Sequence, residues 1–201
     1  MSEDSDNVAG RLGFRARGED VQIYPRAHIV SPEVISIGDS VIIDDFVFLV
    51  GGVETRIGSF VHLASFSSLL GGGELVIEDF AGVSSGARIY TGTDDFHGES
   101  LTGPPVPAPF RTPVRTFVHI GKYAVVGANA VVLPGVTIGE GCTIGALSLV
   151  SRDCEPWTVC AGTPARPIKS RRRDRIEALE RELRAQLYDT DGRYIPRRRR
   201  A

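Results

Sequence analysis

The stretch IGKYAVVGANAVVLPGVTIGEGCTIGALSLV, Ile120 to Val150, carries an aliphatic residue at Ile120, Val126, Val132, Ile138, Ile144 and Val150. A step of six matches neither the 3.6-residue period of an α-helix nor the 2-residue period of an isolated strand. Working outward, the same step reappears at Ile77, Val83 and Ile89, at Ile57, Leu63 and Leu69, at Ile37, Ile43 and Leu49, and more faintly at Ile23 and Ile29. All seventeen anchors are Ile, Leu or Val, in a chain whose whole hydrophobic class is 42%, so chance does not explain them. The fourth residue after an anchor is nearly always small, as at Val41, Val61, Ser67, Ala81, Ala87, Ala124, Ala130, Cys142, Ser148 and Cys154. Gly follows the anchor directly at Gly38, Gly58, Gly121, Gly127, Gly139 and Gly145.

The breaks are as regular as the spacing. From Ile29 to Ile37, Leu49 to Ile57 and Leu69 to Ile77 the step is eight, so the hexads group in threes with slack at one corner. After Ile89 that corner holds a long excursion, and the repeat resumes at Ile120. A triangular parallel β-helix explains the grouping: each hexad is a short strand plus a turn, its anchor points into a narrow prism, and stacked coils pair at ~4.8 Å. Gly and Asn supply turn backbone that other residues resist. A sandwich of short strands would place turns every 8–12 residues and would not group hexads in threes. The period alone does not fix the hand of the helix.

The bulk numbers bound the rest. A chain of 201 residues makes one cored domain with a short appendage. The net charge of −2 gives no field that would recruit nucleic acid or a membrane surface. Basic residues do cluster late, at Arg171 to Arg173 and Arg197 to Arg200, and are read as solubility of the tail. Three cysteines argue against a disulfide framework and fit a reducing compartment. The polar start MSEDSDNVAG is no secretory signal, and no apolar run approaches the ~20 residues of a membrane span. The expectation is a cytoplasmic protein without membrane insertion. Residues 1–12 are expected to be disordered, 13–169 to form the β-helix domain, 170–189 a C-terminal helix and 190–201 a loose basic tail. The helix rests on Ile176, Leu179, Leu183 and Leu187, at spacings of 3, 4 and 4.

The hexads, the late AGTPARPIK (Ala161 to Lys169) and the mid-chain loop resemble the hexapeptide-repeat acyltransferases over roughly residues 20–170. The resemblance implies an all-β solenoid: a left-handed parallel β-helix with a long external loop at about 94–116 and a C-terminal amphipathic helix. It also implies a homotrimer with active sites between subunits and acetyl-CoA as co-substrate. The stretch VHLASFSSLLGGGELVIEDFAGVSSGARIYTGTDDFHGESLTGPPVP looks more like the branch that N-acetylates nucleotide-linked amino sugars than the galactoside and maltose O-acetyltransferases.

Acetyl transfer from a thioester needs a base for the acceptor's proton, donors for the developing oxyanion and a slot for the cofactor. In the galactoside branch the base follows a Thr-Gly pair in this loop. Here Gly92 is followed by Thr93, so that His is missing. Two replacements stand open. His62 in VHLAS resembles the HIA setting of the base in other members, and His97 lies beside Asp94 and Asp95, either of which could orient an imidazole. Asp95 is a third candidate. His28 and His119 are read as surface and structural residues. Asp94, Asp95, Glu99 and Glu78 are candidate acceptor ligands, suited to hydroxyls or an ammonium group. The matching cofactor positions are Ala128 and Ala146, Ser151 and Arg152, with Arg166 and Lys169 for the phosphates. The excursion from Asp94 to Arg115 holds Pro104, Pro105, Pro107, Pro109 and Pro113, a composition that favours a stiff arm. Trp157 either covers the adenine or caps the prism.

No metal is expected. γ-Type carbonic anhydrases share this helix but need a His-x4-His pair, and no two histidines here lie closer than His97 and His119. Packing explains Cys142 and Cys154. The leading reading is N-acetylation of an amino sugar carried on a nucleotide. The alternatives are O-acetylation of a saccharide or small metabolite, and a non-catalytic structural solenoid.

Overall fold

The structure is a computed structural model and describes residues 7–196. The chain winds as a left-handed parallel β-helix of about seven coils, with sheets of six, eight and six strands as the faces of a prism. The first face stacks Ala16–Arg17, Ile35–Ile37, Glu54–Ile57, Glu74–Ile77, Phe117–Ile120 and Val136–Ile138. The second stacks Gln22–Ile23, Ile42–Ile43, His62–Leu63, Gly82–Val83, Val125–Val126, Thr143–Ile144 and Thr158–Gly162, and the third runs from His28–Val30 to Leu149–Val150. Registers are in phase: Ile77 pairs with Ile57 below and Ile120 above. Sixteen of the seventeen anchors are buried, and Ile29 is half-buried at the open end.

The glycines behind the anchors do not serve the turn in the way expected. A Cβ on Gly58 would meet Asp79 N at 2.6 Å, and one on Gly121 would meet Glu140 N at 2.7 Å, so these glycines allow coils to approach. The left-handed turn backbone falls instead on a different position, mostly held by bulky residues. At the first corner, between the first and second faces, it is Asp20, Ser40, Phe60, Phe80, Tyr123, Gly141 and Trp157. At the second corner it is Phe46, Phe66, Gly86, Asn129 and Leu147. Backbone hydrogen bonds from coil to coil, such as Phe80 N to Ser59 O at 2.9 Å and Tyr123 N to Asp79 O at 3.0 Å, hold these residues where a free chain would avoid them.

The excursion leaves the third corner on an antiparallel stalk, Gly92–Thr93 with Val114–Arg115, and carries a short 3-10 turn at Ala108–Phe110. Its tip is pinned by side chains on backbone amides, which agrees with an ordered arm.

Both ends differ from expectation. Residues 7–12, expected to be disordered, close the first coil: Ala9 is fully buried, and Asn7 Oδ1 accepts the Ile23 amide at 3.0 Å while its Nδ2 donates to Val21 O at 2.9 Å. Residues 1–6 lie outside the described residues. The C-terminal helix, Arg173–Leu187, lies along the first corner. The reading of a loose tail from 190 is also corrected for residues 190–196. Tyr194 bridges to Tyr188 and donates to Asp20 Oδ2 at 2.9 Å, and Ile195 N donates to Leu187 O at 2.7 Å. Arg197 to Arg200 lie outside the described residues. Among the described residues no helix is long and apolar enough to cross a membrane.

Candidate active site

The two histidine candidates stand in different places. His62 opens its strand on the second face of the third coil, where alternation turns its side chain outward and Leu63 inward. Its Nε2 lies 3.0 Å from Asp44 Oδ2, an oxygen that also accepts the Ser65 amide at 3.3 Å. Asp44 sits eighteen residues earlier, which one coil of twenty residues converts into a diagonal neighbour. His62 is therefore an oriented imidazole at the solvent face. His97 is at the exposed tip of the arm, and its backbone amide, not its ring, makes the contact with Asp95.

The two aspartates of the arm separate just as clearly. Asp95 Oδ1 accepts the His97 amide at 2.7 Å and Oδ2 accepts the Ser100 amide at 2.7 Å. Those backbone bonds hold its pKa below the ordinary carboxylate value, so Asp95 is a staple of the loop and a weak base. Both of its oxygens face loop amides, and among the described residues the His97 ring makes no bond to it. Asp94 is half-buried at the root of the arm. Its Oδ2 accepts the Gly103 amide at 2.9 Å, and among the described residues nothing bonds Oδ1.

Glu78 does not join them. It closes the first-face strand Glu74–Ile77, whose other end meets the arm's corner. Its Oε1 takes His119 Nε2 at 2.7 Å and its Oε2 takes the Lys122 amide at 2.9 Å. Glu78 and His119 therefore pair with each other, away from the carboxylates of the arm. Glu99 is exposed on a shallow pocket of about 450 Å³ within the arm, shared with Phe110 and Arg111. Arg111 was missed from sequence: its Nε is buried without a partner among the described residues.

The cofactor candidates divide into two groups. Ala128 and Ala146 stack at the second corner, where Leu147 N donates to Ala128 O at 2.9 Å. Above them the hairpin of Thr158–Gly162 and Ala165–Ser170 turns, and Thr163 Oγ1 donates to Leu147 O at 3.3 Å. Arg166, paired with Ala161, and Lys169, paired with Val159, stand exposed on that hairpin. The two alanines therefore form a small-residue ledge at the second corner with Arg166 at the hairpin end above it, while Lys169 lies farther along the second face toward the first corner. Ser151 and Arg152 are exposed at the third corner, across the third face from the ledge. Trp157 belongs to neither group. It holds a first-corner position, its ring centroid 5.7 Å from Tyr123, with the Arg173 guanidinium 5.6 Å from it.

Comparisons with known proteins identify the family of this fold. Residues 117–152 match the family described as bacterial transferase hexapeptide (six repeats). The chain is 40% identical to the dTDP-4-amino-4,6-dideoxy-D-glucose acyltransferase of Escherichia coli, over 83% of this chain and 87% of that one. It is 33% identical to a putative lipopolysaccharide biosynthesis O-acetyl transferase, WbbJ, of E. coli K12, over 82% and 67% of the two chains. The fold superposes on AntD, an N-acyltransferase from Bacillus cereus solved with dTDP and 3-hydroxybutyryl-CoA, with a TM-score of 0.83 and 35% identity over 92% of this chain and 97% of that one. The chain belongs to the hexapeptide-repeat acyltransferases, enzymes that draw their acyl group from coenzyme A thioesters.

Proposed function

We propose that this chain transfers an acyl group from acyl-CoA to the amino group of an amino sugar carried on dTDP. The observation that carries the reading is Asp94: a half-buried carboxylate at the root of the arm, one oxygen pinned and the other available, on a scaffold shared with AntD. AntD has been solved with substitutions at a serine and an aspartate ten residues apart, in complexes with dTDP or dTDP-4-amino-4,6-dideoxyglucose. This chain offers that spacing at Ser84 with Asp94 and at Ser85 with Asp95, and Asp95 is spent on loop amides.

In this reading Asp94 Oδ1 holds the acceptor's ammonium group and takes its proton. The freed amine attacks the thioester carbonyl carbon, and backbone N–H groups hold the oxyanion. The C–S bond then breaks, the amide forms, and the coenzyme A sulfur leaves with a proton. No metal enters. The thioester lies on the ledge of Ala128 and Ala146, with Arg166 and Lys169 toward the phosphates. The arm meets the ledge of a second copy in a homotrimer. Stacked Phe46 and Phe66, 48% and 62% exposed at the second corner, support such an assembly.

The His62–Asp44 pair supports a second reading, in which His62 is the base. Single variants separate the two. A thiol-release assay with acetyl-CoA and 3-hydroxybutyryl-CoA tests the acceptor class. Turnover with dTDP-4-amino-4,6-dideoxyglucose is expected, and turnover with saccharide hydroxyls alone would overturn the proposal.

A further inference from the structure

At the C-terminal end of the prism two anchor columns change chemistry together. The first-face column that runs through Ile120 and Ile138 ends on Cys154, and the second-face column through Val126 and Ile144 ends on Cys160. Cys154, read from sequence as a small corner residue, thus takes an anchor position, because the last coil starts two residues early relative to a strict step of six. Cys142 fills the interior corner between the two columns, where earlier coils place Val61, Ala81 and Ala124. The three Sγ atoms lie within 4.8 Å of one another and all three side chains are buried. Packing alone does not call for sulfur here, since both columns carry Ile, Leu or Val in every coil from the second to the sixth.

We propose that Cys142, Cys154 and Cys160 form a three-thiolate site for one thiophilic closed-shell metal ion, which braces the open end of the solenoid and takes no part in acyl transfer. Thiolates select soft and borderline ions such as Zn²⁺ and Cu⁺ over hard ones. A metal–sulfur distance of ~2.3 Å sets neighbouring sulfurs about 3.8 Å apart, which small side-chain rotations reach from the observed spacing. Among the described residues no His, Asp or Glu joins the cluster, so the chain offers three sulfurs. Each thiol that binds gives up its proton to solvent. Arg171 Nη1 donates to Tyr123 O at 2.7 Å and to Gly141 O at 3.0 Å, which sets the guanidinium beside the backbone that carries Cys142. Its charge offsets the negative charge that three thiolates leave on a divalent ion.

The test uses the full, reduced chain, with three titratable thiols on unfolding, and Cd²⁺ alone as probe. The expected result is a thiolate-to-cadmium charge-transfer absorption that saturates at one ion per chain, together with a raised Tm. Cys154→Val and Cys160→Val, which restore the column chemistry, should each weaken binding by more than about tenfold while thiol release from acyl-CoA is unchanged. Cys142→Ser, nearly isosteric, gives the same reading should either valine variant fail to fold. A reduced chain with no such absorption, or absorption that survives replacement of all three cysteines, overturns the proposal.

Discussion

The first and second corners of the prism share one backbone geometry and carry opposite surfaces. Both stack left-handed residues coil upon coil. At the first corner the side chains form a ladder: Phe60 on Phe80 at 4.7 Å, Phe80 on Tyr123 at 5.6 Å and Tyr123 on Trp157 at 5.7 Å. The C-terminal helix covers it through charge. Glu180 accepts from Lys122 Nζ at 2.7 Å and from the Tyr123 hydroxyl, and Arg184 reaches Asp79 at 2.9 Å across the Phe80 ring. At the second corner the ladder stops after Phe66; Gly86, Asn129 and the two alanines leave a ledge, flanked by the exposed Leu147 and not covered by the helix. A solenoid repeats its core and varies its corners: the first corner is covered by the helix, and the second is the one where the proposed function seats the thioester.

That contrast can be broken or sharpened by substitution. The largest effect is expected on the open side. Asp94→Asn should lower kcat/KM by roughly 10²–10⁴-fold with an unchanged Tm, and His62→Ala should stay within a few-fold. The reverse order, read in a thiol-release assay, would give the base to His62. On the closed side, Phe80→Ala removes two ring contacts and should cost about 2–4 kcal/mol in denaturant unfolding. Phe66→Ala removes one ring contact, with Phe46, and should cost less than Phe80→Ala in the same unfolding. Equal costs would erase the distinction between the corners.

Glu180→Gln should cost about 1–2 kcal/mol at neutral pH and spare activity. Burial alone would raise the pKa of Glu180, but hydrogen bonds from Lys122 and Arg184 outweigh it and hold the group below the ordinary 4.5. Its stabilisation is therefore full above that value and lost as pH falls through the lowered folded pKa. Acid titration of Tm should fall more steeply in the parent than in the Gln variant, and parallel curves would contradict the assignment. The smallest change expected is Arg166→Ala, a several-fold rise in the KM for acetyl-CoA with kcat preserved.

The prism was legible because its anchors recur in a single aliphatic class, and the arm because prolines and aspartates interrupt that class. The ladder was missed, although Phe60 and Phe80, like Phe46 and Phe66, stand one coil of twenty residues apart. A search for aliphatic anchors passes over outward aromatics. The C-terminal helix was legible, but the residues that dock it on the solenoid were not. Ile176 and Leu183 stay half-buried and Leu179 is 44% exposed, while Glu180 and Arg184 make the contact. For the candidate site, the sequence offered residue types but not their partners. Nothing local tells that Asp95 is spent on loop amides while Asp94 keeps an oxygen, because both distinctions arise from how the arm folds back on itself.

The most direct test of the open ledge is calorimetric titration of coenzyme A into the parent and into Ala146→Phe, whose ring would lie across it. Saturable binding in the parent and a loss of at least about tenfold in a folded variant are predicted. Equal affinity in the two would place the thioester elsewhere and contradict the division between the corners.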